Sequence, residues 1–296
     1  MTKNIRIIPR LDIKGPNLVK GIHLEGLRVL GKPWDYACMY YEDGADELIY
    51  IDVVASLYGR NNLSDIVEKT ARNIFIPLTV GGGIRSVDDI RKILRAGADK
   101  VAINTAAVHN PALIKEGAKT FGSQCIVISI QAKRIDETYR VFTDNGREMS
   151  DRLVLDWVKE AVDLGAGEIL LTSIDREGTG TGFDIELLEK IAGDVPVPVI
   201  ACGGCGTCNH ARDAVETGKA DAICASSIFH YHYLGRNINE GEFREEGNIE
   251  FIKRNRDGVE FMSNRIKPVG IAGMKSALSG YGIPCRKSRE AARNEQ

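Results

Sequence analysis

Short apolar segments alternate with helix-like segments along most of the chain. The apolar segments are rich in Ile, Val and Leu, which is typical of buried parallel strands, and the segments between them have the apolar spacing of helices. This alternation predicts a series of β-α units around a parallel sheet. The predicted strands cover residues 6–13, 47–53, 76–80, 99–103, 124–131, 168–173, 198–202 and 221–225. The predicted helices cover residues 33–43, 62–73, 86–96, 110–121, 151–164, 183–192, 208–218 and 271–281.

Eight strands with eight helices predict an α/β fold in which the sheet closes into a (β/α)8 TIM barrel. An open, doubly wound sheet is the alternative, and it is disfavoured because no predicted strand has the polar pattern of an exposed edge. We therefore expect a single barrel domain over residues 1–296. Two segments depart from the pattern: residues 133–147 predict a hairpin with an Asn-Gly turn, and residues 235–270 predict a charged insertion after strand 8. Barrel strands end at the face that carries active sites, so the insertion is expected to begin there.

An internal repeat divides the predicted barrel into two halves. The segment Gly-Ala-Asp-Glu at 44–47 returns as Gly-Ala-Gly-Glu at 165–168, an offset of 121 residues. The glycine pair at 82–83 returns at 203–204 with the same offset of 121 residues. Matched elements at one period predict a twofold half-barrel repeat, with equivalent loops on opposite sides of one barrel mouth.

The charge balance excludes one class of partner. The chain has 39 Lys and Arg residues against 41 Asp and Glu residues, which leaves a net charge of −2. Binding to nucleic acid depends on clustered cations, so we expect no nucleic-acid partner. No segment is apolar enough to cross a membrane and the N-terminus lacks an apolar leader, which predicts a cytoplasmic protein without a membrane partner. Seven cysteines, an odd number, predict reduced thiols rather than a disulfide framework.

Two glycine-rich loops are candidate phosphate sites. The glycines at 81–83 and 203–204 each follow a predicted strand and precede a helix, where backbone N–H groups can approach an anion. Polar side chains stand at the neighbouring strand ends, at 104–105 and 226–227. Tight turns alone would explain the glycines, but recurrence in both halves favours two phosphate sites. The sequence therefore predicts a small-molecule ligand with a phosphate at each end.

Four charged residues stand at the starts of predicted strands, and they are Arg6, Glu47, Lys100 and Glu168. They are expected to form a neutral ring at the N-terminal mouth of the barrel. This face usually serves stability, so the residues themselves favour a structural network of salt bridges.

Carboxylates at strand ends are candidates for proton transfer. Asp12 ends strand 1 and Lys20 stands in the loop that is predicted to follow it. The position that corresponds to Asp12 in the second half is Gln131, and an amide cannot exchange a proton near neutral pH. A pair of carboxylates is therefore not expected at these two positions. Further carboxylates at strand ends are Asp52, Asp175 and Glu177.

The cysteines Cys202, Cys205 and Cys208 have the spacing C-x2-C-x2-C. Thiolates at this spacing can bind zinc or an iron–sulfur cluster, with Cys224 or His210 as a fourth ligand. The run starts inside a strand and overlaps the second glycine loop, which favours small residues in a phosphate loop. We therefore expect no metal and no cofactor.

Longer motifs, among them Arg-Leu-Asp-Ile-Lys at 10–14 and Thr-Val-Gly-Gly-Gly-Ile-Arg at 79–85, carry a resemblance to a known family. Together they resemble the HisF family, the cyclase subunit of imidazole glycerol phosphate synthase. The resemblance covers roughly residues 5–231 and 275–286 and does not extend to the insertion. The other segments that carry it are 45–52, 100–108, 121–125 and 167–179.

The resemblance implies a (β/α)8 barrel built from two half-barrels. It also implies that the chain is a lyase-type subunit of a glutamine amidotransferase complex. It implies a HisH-type glutaminase on the N-terminal face and ammonia that travels through the barrel to the C-terminal face. It further implies a glutaminase contact at Asp99, catalytic roles for Asp12 and Lys20, and an ammonia gate made of Arg6, Glu47, Lys100 and Glu168. The implied phosphate sites are Gly83, Asn104 and Thr105 on one side, and Gly178, Gly204 and Ser227 on the other.

The chain departs from the family at Gln131, where the histidine-pathway enzyme carries its second catalytic Asp, and in the loop at 14–28. It looks like a paralogous branch that serves amidation of sugars in bacterial surface polysaccharides such as lipopolysaccharide O-antigen. The first hypothesis is therefore a subunit that conducts ammonia for this amidation, with an acceptor enzyme on the C-terminal face. The second is a histidine-pathway cyclase. The third is a non-catalytic scaffold that docks a glutaminase and an acceptor enzyme through residues 235–270.

Overall fold

The computed structural model describes residues 3–55, 63–234 and 265–287, and these residues contain a closed barrel of eight parallel strands with helices around it. In chain order the strands are β1 (Arg6–Lys14), β2 (Asn17–Ile22), β3 (Glu25–Gly31), β4 (Leu48–Asp52), β5 (Leu78–Gly81), β6 (Lys100–Ile103), β7 (Ile126–Ile135), β8 (Thr138–Thr143), β9 (Glu148–Leu153), β10 (Glu168–Ser173), β11 (Val199–Cys202) and β12 (Ala222–Ala225). The barrel order is β1-β4-β5-β6-β7-β10-β11-β12, and β12 pairs with β1 to close it. The prediction of a (β/α)8 barrel is confirmed.

Each predicted helix has a counterpart that differs by a few residues at its ends. In chain order the described helices are α1 (Pro33–Glu42), α2 (Ser64–Ala71), α3 (Val87–Arg95), α4 (Thr105–His109), α5 (Ala112–Phe121), α6 (Val154–Asp163), α7 (Ile185–Ala192), α8 (Cys208–Glu216), α9 (Ser227–Tyr233) and α10 (Ile271–Gly280). Helices α4 and α9 were not predicted, because five and seven residues are too few to show a helical period.

The two halves each carry an antiparallel extension on their first strand. In the second half β7 continues into β8 and β9, and Asn145 and Gly146 in the turn between β8 and β9 have left-handed φ angles of 57° and 82°. In the first half β2 and β3 extend β1, with Asp12 opposite Val19. The prediction of a loop around Lys20 is therefore wrong. Gly15, with a φ of 57°, stands in the short turn between β1 and β2, and the residues after it form a strand.

The interior of the barrel contains an apolar layer that separates its two ends. Ile8, Ile49, Val127, Leu170 and Ile200 pack together there, and each is almost fully buried. A larger apolar core lies between the strands and the surrounding helices. The two ends of the barrel interior are therefore polar regions separated by a largely apolar layer.

Most of the predicted insertion, residues 235–264, lies outside the described residues, so its role and the single-domain assignment stay predictions. Its last residues lie at the C-terminal end of the barrel, where the Lys267 backbone N–H donates to the Gly206 carbonyl at 2.8 Å. Within the described ranges, no helix has the length and apolar character needed to span a membrane.

Candidate active site

The four charged residues predicted at strand starts meet in a closed ring at the N-terminal end of the barrel. Arg6 Nη1 donates to Glu47 Oε1 at 2.7 Å and Arg6 Nη2 to Glu168 Oε1 at 2.5 Å. Lys100 Nζ donates to Glu47 Oε2 at 2.9 Å and to Glu168 Oε2 at 3.0 Å. Each carboxylate therefore bridges both cations, and each cation bridges both carboxylates.

The ring is neutral and largely buried, with the side chains of Arg6 and Glu168 22% and 6% exposed. Burial opposes the charge on Arg6, but Glu168 and Glu47 outweigh this cost and raise the pKa of its guanidinium. Such a network is stable only while its charges are balanced. The ring therefore closes one end of the barrel with four ion pairs.

Asp99 lies beside this ring at the start of β6. Its Oδ2 accepts a hydrogen bond from the Leu78 backbone N–H at 2.8 Å, and Asp221 makes the same contact with Val199 at 2.8 Å in the second half. This equivalence agrees with the twofold repeat in the sequence. Asp99 is solvent-exposed on the N-terminal face, which leaves it accessible to a partner.

Asp12 lies at the opposite end of the barrel interior and is paired with an arginine. Arg10 Nε donates to Asp12 Oδ1 at 2.8 Å, and the two side chains are only 2% and 3% exposed. Burial opposes the charge on Arg10, but the attraction of Asp12 outweighs it and raises the pKa of Arg10 well above its ordinary value. The sequence analysis did not single out Arg10, although its alternation with Ile8 and Asp12 along β1 indicates an inward side chain.

Lys20 is paired with Glu177 rather than with Asp12. Lys20 projects from β2 and its Nζ donates to Glu177 Oε1, in the loop after β10, and both side chains are buried. Burial opposes both charges, but their mutual attraction raises the pKa of Lys20 and lowers that of Glu177. Of the other two candidate carboxylates, Asp52 lines a cavity at this mouth, whereas Asp175 accepts from the Arg134 backbone N–H on an exposed loop.

Gln131 lies on β7, four strands from Asp12 on β1, and therefore across the barrel from it. Its side chain lines a cavity and is 6% exposed. Within the described part of the chain, Gln131 Oε1 has no hydrogen-bond partner. The twofold repeat thus places a carboxylate on one side of the mouth and an amide on the other.

The first glycine loop borders this cavity, which has a volume of about 390 Å³. Gly83, Asn104 and Thr105, the predicted residues of one phosphate site, all line it. Gly82 and Gly83 have left-handed φ angles of 101° and 70°, a conformation that favours glycine. The structure therefore brings the three residues to one cavity, and their role in binding phosphate stays a prediction.

The second glycine loop borders a much smaller cavity, of about 10 Å³, which is about the space that one water needs. Gly178, Gly204 and Ser227, the predicted residues of the other phosphate site, all line it. The two loops are therefore equivalent in sequence, but the cavities beside them differ greatly in volume.

Comparison with known proteins gives the family. The model of the histidine biosynthesis protein family matches residues 6–234. The chain belongs to this family. Three relatives are each named imidazole glycerol phosphate synthase subunit HisF. The one from Legionella pneumophila is 64% identical over 204 residues, which cover 69% of this chain and 96% of the relative. Those from Geobacillus thermodenitrificans and Geobacillus kaustophilus are 52% and 55% identical over 244 and 245 residues, each covering 82% of this chain and 97% of the relative.

These matches confirm the resemblance to the HisF family and agree with the barrel. They do not distinguish the paralogous branch, so that assignment stays a prediction. The roles of the site residues also stay predictions, although all of these residues lie in the one barrel that the family match agrees with.

Two cysteines of the C-x2-C-x2-C run, Cys202 and Cys205, have separate surroundings in this family member. Cys202 Sγ accepts from Arg10 Nη1 at 3.6 Å inside the barrel, whereas the Cys205 thiol donates to the Thr207 carbonyl at 3.8 Å. A hydrogen bond with Cys224 lowers the pKa of Cys202 to about 7 against the effect of burial. Across the described ranges, no group of three or more His, Cys, Asp or Glu side chains is arranged to hold a metal ion.

Gly204→Ala is expected to destabilise the protein by at least ~1 kcal/mol, because the left-handed φ of 97° strains any other residue. The added Cβ would also lie 2.1 Å from the Gly182 carbonyl oxygen. The matched control is Gly193→Ala, where no atom lies within 4 Å of the new Cβ. Urea unfolding of both variants checks this, and equal stabilities would show that the second loop tolerates a side chain.

Proposed function

We propose that this chain is the synthase subunit of a glutamine amidotransferase complex. In this proposal ammonia enters the barrel through the ring of Arg6, Glu47, Lys100 and Glu168 and is used at the C-terminal mouth. The observation that carries the proposal is the ring itself, a closed set of four ion pairs across one end of the barrel, with the polar mouth at the other end. The name of the relatives, imidazole glycerol phosphate synthase subunit HisF, supports it.

The apolar layer suits a route for neutral ammonia. Moving a charged ion from water into an apolar layer without a partner costs several kcal/mol or more of free energy, whereas moving a small neutral molecule costs far less. Ile8, Ile49 and Leu170 would therefore admit ammonia and hold back ammonium. The direction of travel runs from the ring to the mouth.

The ammonia would come from a HisH-type glutaminase bound to the N-terminal face. Asp99 is the exposed carboxylate nearest in sequence to Lys100 of the ring, and it is a suitable contact for a cationic group of such a partner. A partner at this face would release ammonia directly onto the ring.

Of the acceptors left open by the sequence, cyclisation to imidazole glycerol phosphate has the stronger support from the comparisons. All three relatives carry that name, and the catalytic positions Asp12 and Lys20 both lie in the mouth. A substrate with two phosphates would place one in the cavity at Gly83, Asn104 and Thr105. The other would have to widen the small cavity at Gly204 when it binds.

A second candidate is delivery of ammonia for amidation of a surface-polysaccharide sugar by an acceptor enzyme at the C-terminal face. The observation that favours it is Gln131, whose amide faces the cavity where a second acid is expected for cyclisation. The scaffold hypothesis depends on residues 235–270, of which 235–264 lie outside the described residues, and so it takes no support from the structure.

The proposal is tested on the complex of this chain with a HisH-type glutaminase, supplied with the cyclase substrate and either glutamine or ammonium chloride. Product from both nitrogen sources is the expected result. Product from ammonium alone would contradict transfer through the barrel. Product from neither nitrogen source would rule out the cyclase hypothesis and leave sugar amidation and the scaffold as the remaining hypotheses.

A further inference from the structure

Cys202 and Cys224 lie side by side inside the barrel. They are direct partners in the parallel pairing of β11 and β12, so their side chains point to the same face of the sheet. Both belong to the interior apolar cluster, and they are only 4% and 0% exposed. Neighbouring strands are about 4.8 Å apart, which is within the Cα–Cα range of about 4.4–6.8 Å that disulfides span. The pairing of the strands therefore permits a disulfide between these two residues.

The surroundings of Cys202 favour its thiolate. The Cys224 thiol donates a hydrogen bond to Cys202, and Arg10 Nη1 lies 3.6 Å from Cys202 Sγ. These two contacts lower the pKa of Cys202 to about 7, although burial and the Glu177 carboxylate oppose the charge. A thiolate beside a guanidinium is the form in which a cysteine attacks an electrophile. Cys202 is therefore the nucleophilic member of the pair.

Cys202 also borders a space that a small oxidant can enter. It lines the small cavity beside Gly204 at the C-terminal end of the barrel, together with Ser226 and Ser227. The volume of about 10 Å³ is about the space that one water needs. Hydrogen peroxide is little larger than water, so a peroxide is the class of oxidant that suits this cavity.

Four of the other cysteines lack this environment. Cys205 donates to the Thr207 carbonyl at 3.8 Å, and burial raises the pKa of its thiol. Burial also raises the pKa of Cys38, Cys208 and Cys285. The structure thus distinguishes Cys202 and Cys224 from these four thiols.

We propose that Cys202 and Cys224 are a redox-active pair that a peroxide converts to a disulfide. The Cys202 thiolate attacks one oxygen of hydrogen peroxide, the O–O bond breaks, and the sulfur becomes a sulfenic acid. The released hydroxide takes up the proton that Cys202 had lost and leaves as water. The Cys224 sulfur then attacks the Cys202 sulfur, so that an S–S bond forms and the S–O bond breaks. The second hydroxide takes the Cys224 proton, and two thiols and one peroxide have become one disulfide and two waters.

The disulfide would join β11 and β12 at the ends that border the second glycine loop. Gly203 and Gly204 follow Cys202 directly, and Ser226 and Ser227 come shortly after Cys224. The bond would therefore tie together the two strands whose following residues line the small cavity. Formation of this bond does not depend on the proposed function.

The test treats the reduced, full-length protein with hydrogen peroxide under native conditions and then blocks the remaining thiols with an alkylating reagent. The expected result is the loss of two free thiols, from seven to five, and their return on treatment with dithiothreitol. Mass spectrometry after trypsin digestion should find a disulfide that joins the peptides 191–212 and 220–236.

Variants assign the bond to its two sulfur atoms. The peptide 191–212 contains three cysteines, so the matched control is Cys205→Ser with Cys208→Ser, which should still form the bond to Cys224. Cys224→Ser removes the second thiol, so Cys202 should stop at the sulfenic acid and be captured by dimedone. Circular dichroism checks folding, and Cys224→Ala replaces the Ser variant if the latter does not fold.

A native protein in which Cys202 and Cys224 both stay reduced would overturn the proposal. A disulfide that pairs Cys224 with Cys205 or Cys208, and is lost in the control that lacks these two, would also contradict it. A folded variant at Cys224 that gives no dimedone adduct at Cys202 would contradict the attack of Cys202 on the peroxide.

Discussion

Lys100→Met in the ring is expected to destabilise the barrel by about 3 kcal/mol. The variant leaves Glu47 and Glu168 with Arg6 as their only remaining partner in the ring, so one buried negative charge is no longer balanced. This loss of stability lies at the lower end of the range for buried pairs, because the Lys100 side chain is still 19% exposed. Urea unfolding monitored by circular dichroism measures the loss.

The control is a charge-balanced double variant, Lys100→Met with Glu47→Gln. It removes one cation and one carboxylate and leaves the pair of Arg6 and Glu168 intact, so it should recover at least part of the lost stability. A loss below ~1 kcal/mol for Lys100→Met would mean that the four residues behave as separate, solvated salt bridges. The four residues of the ring would then not be energetically coupled.

The unmodified chain is expected to form imidazole glycerol phosphate from ammonia ~10²–10⁴-fold more slowly than a HisF-type relative that carries Asp at the position of Gln131. Cyclisation needs proton transfers, and the amide of Gln131 cannot supply one. Steady-state turnover of the two proteins, assayed side by side with saturating ammonium, checks this.

Turnover within a few-fold of the relative would contradict this expectation. Gln131 would then not limit cyclisation, and sugar amidation would lose the observation that favours it. A deficit of the expected size keeps both acceptors open and makes the sugar substrate the next one to assay.

The sequence predicts the barrel well because most of its strands are short runs rich in Ile, Val and Leu that alternate with helical segments. It also brings the ring together correctly, since strand starts meet at one end of any parallel barrel. The antiparallel extension of β1 by β2 was not predicted, because Gly15 precedes a proline and the pair is typical of a loop, although here it makes the two-residue turn between β1 and β2.

The ion pairs of the mouth could not be predicted in the same way. Arg10 shares the inward phase of β1 with Asp12, but a strand pattern does not show which partner an inward charge selects. Lys20 has Asp12 and Glu177 within reach, and only the path of β2 places it against Glu177. The small cavity beside Gly204 is lined by residues from distant segments, among them Glu177 and Ser227.

The central claim is that glutamine nitrogen passes through the barrel to the mouth, and an isotope competition tests it most directly. The complex of this chain with its glutaminase receives amide-¹⁵N glutamine and an excess of unlabelled ammonium, and the nitrogen of the product is analysed by mass spectrometry. The expected result is product that contains mainly ¹⁵N, with the label diluted in a folded Lys100→Met complex. Product from the native complex with the isotope ratio of the bulk ammonium pool would contradict the claim.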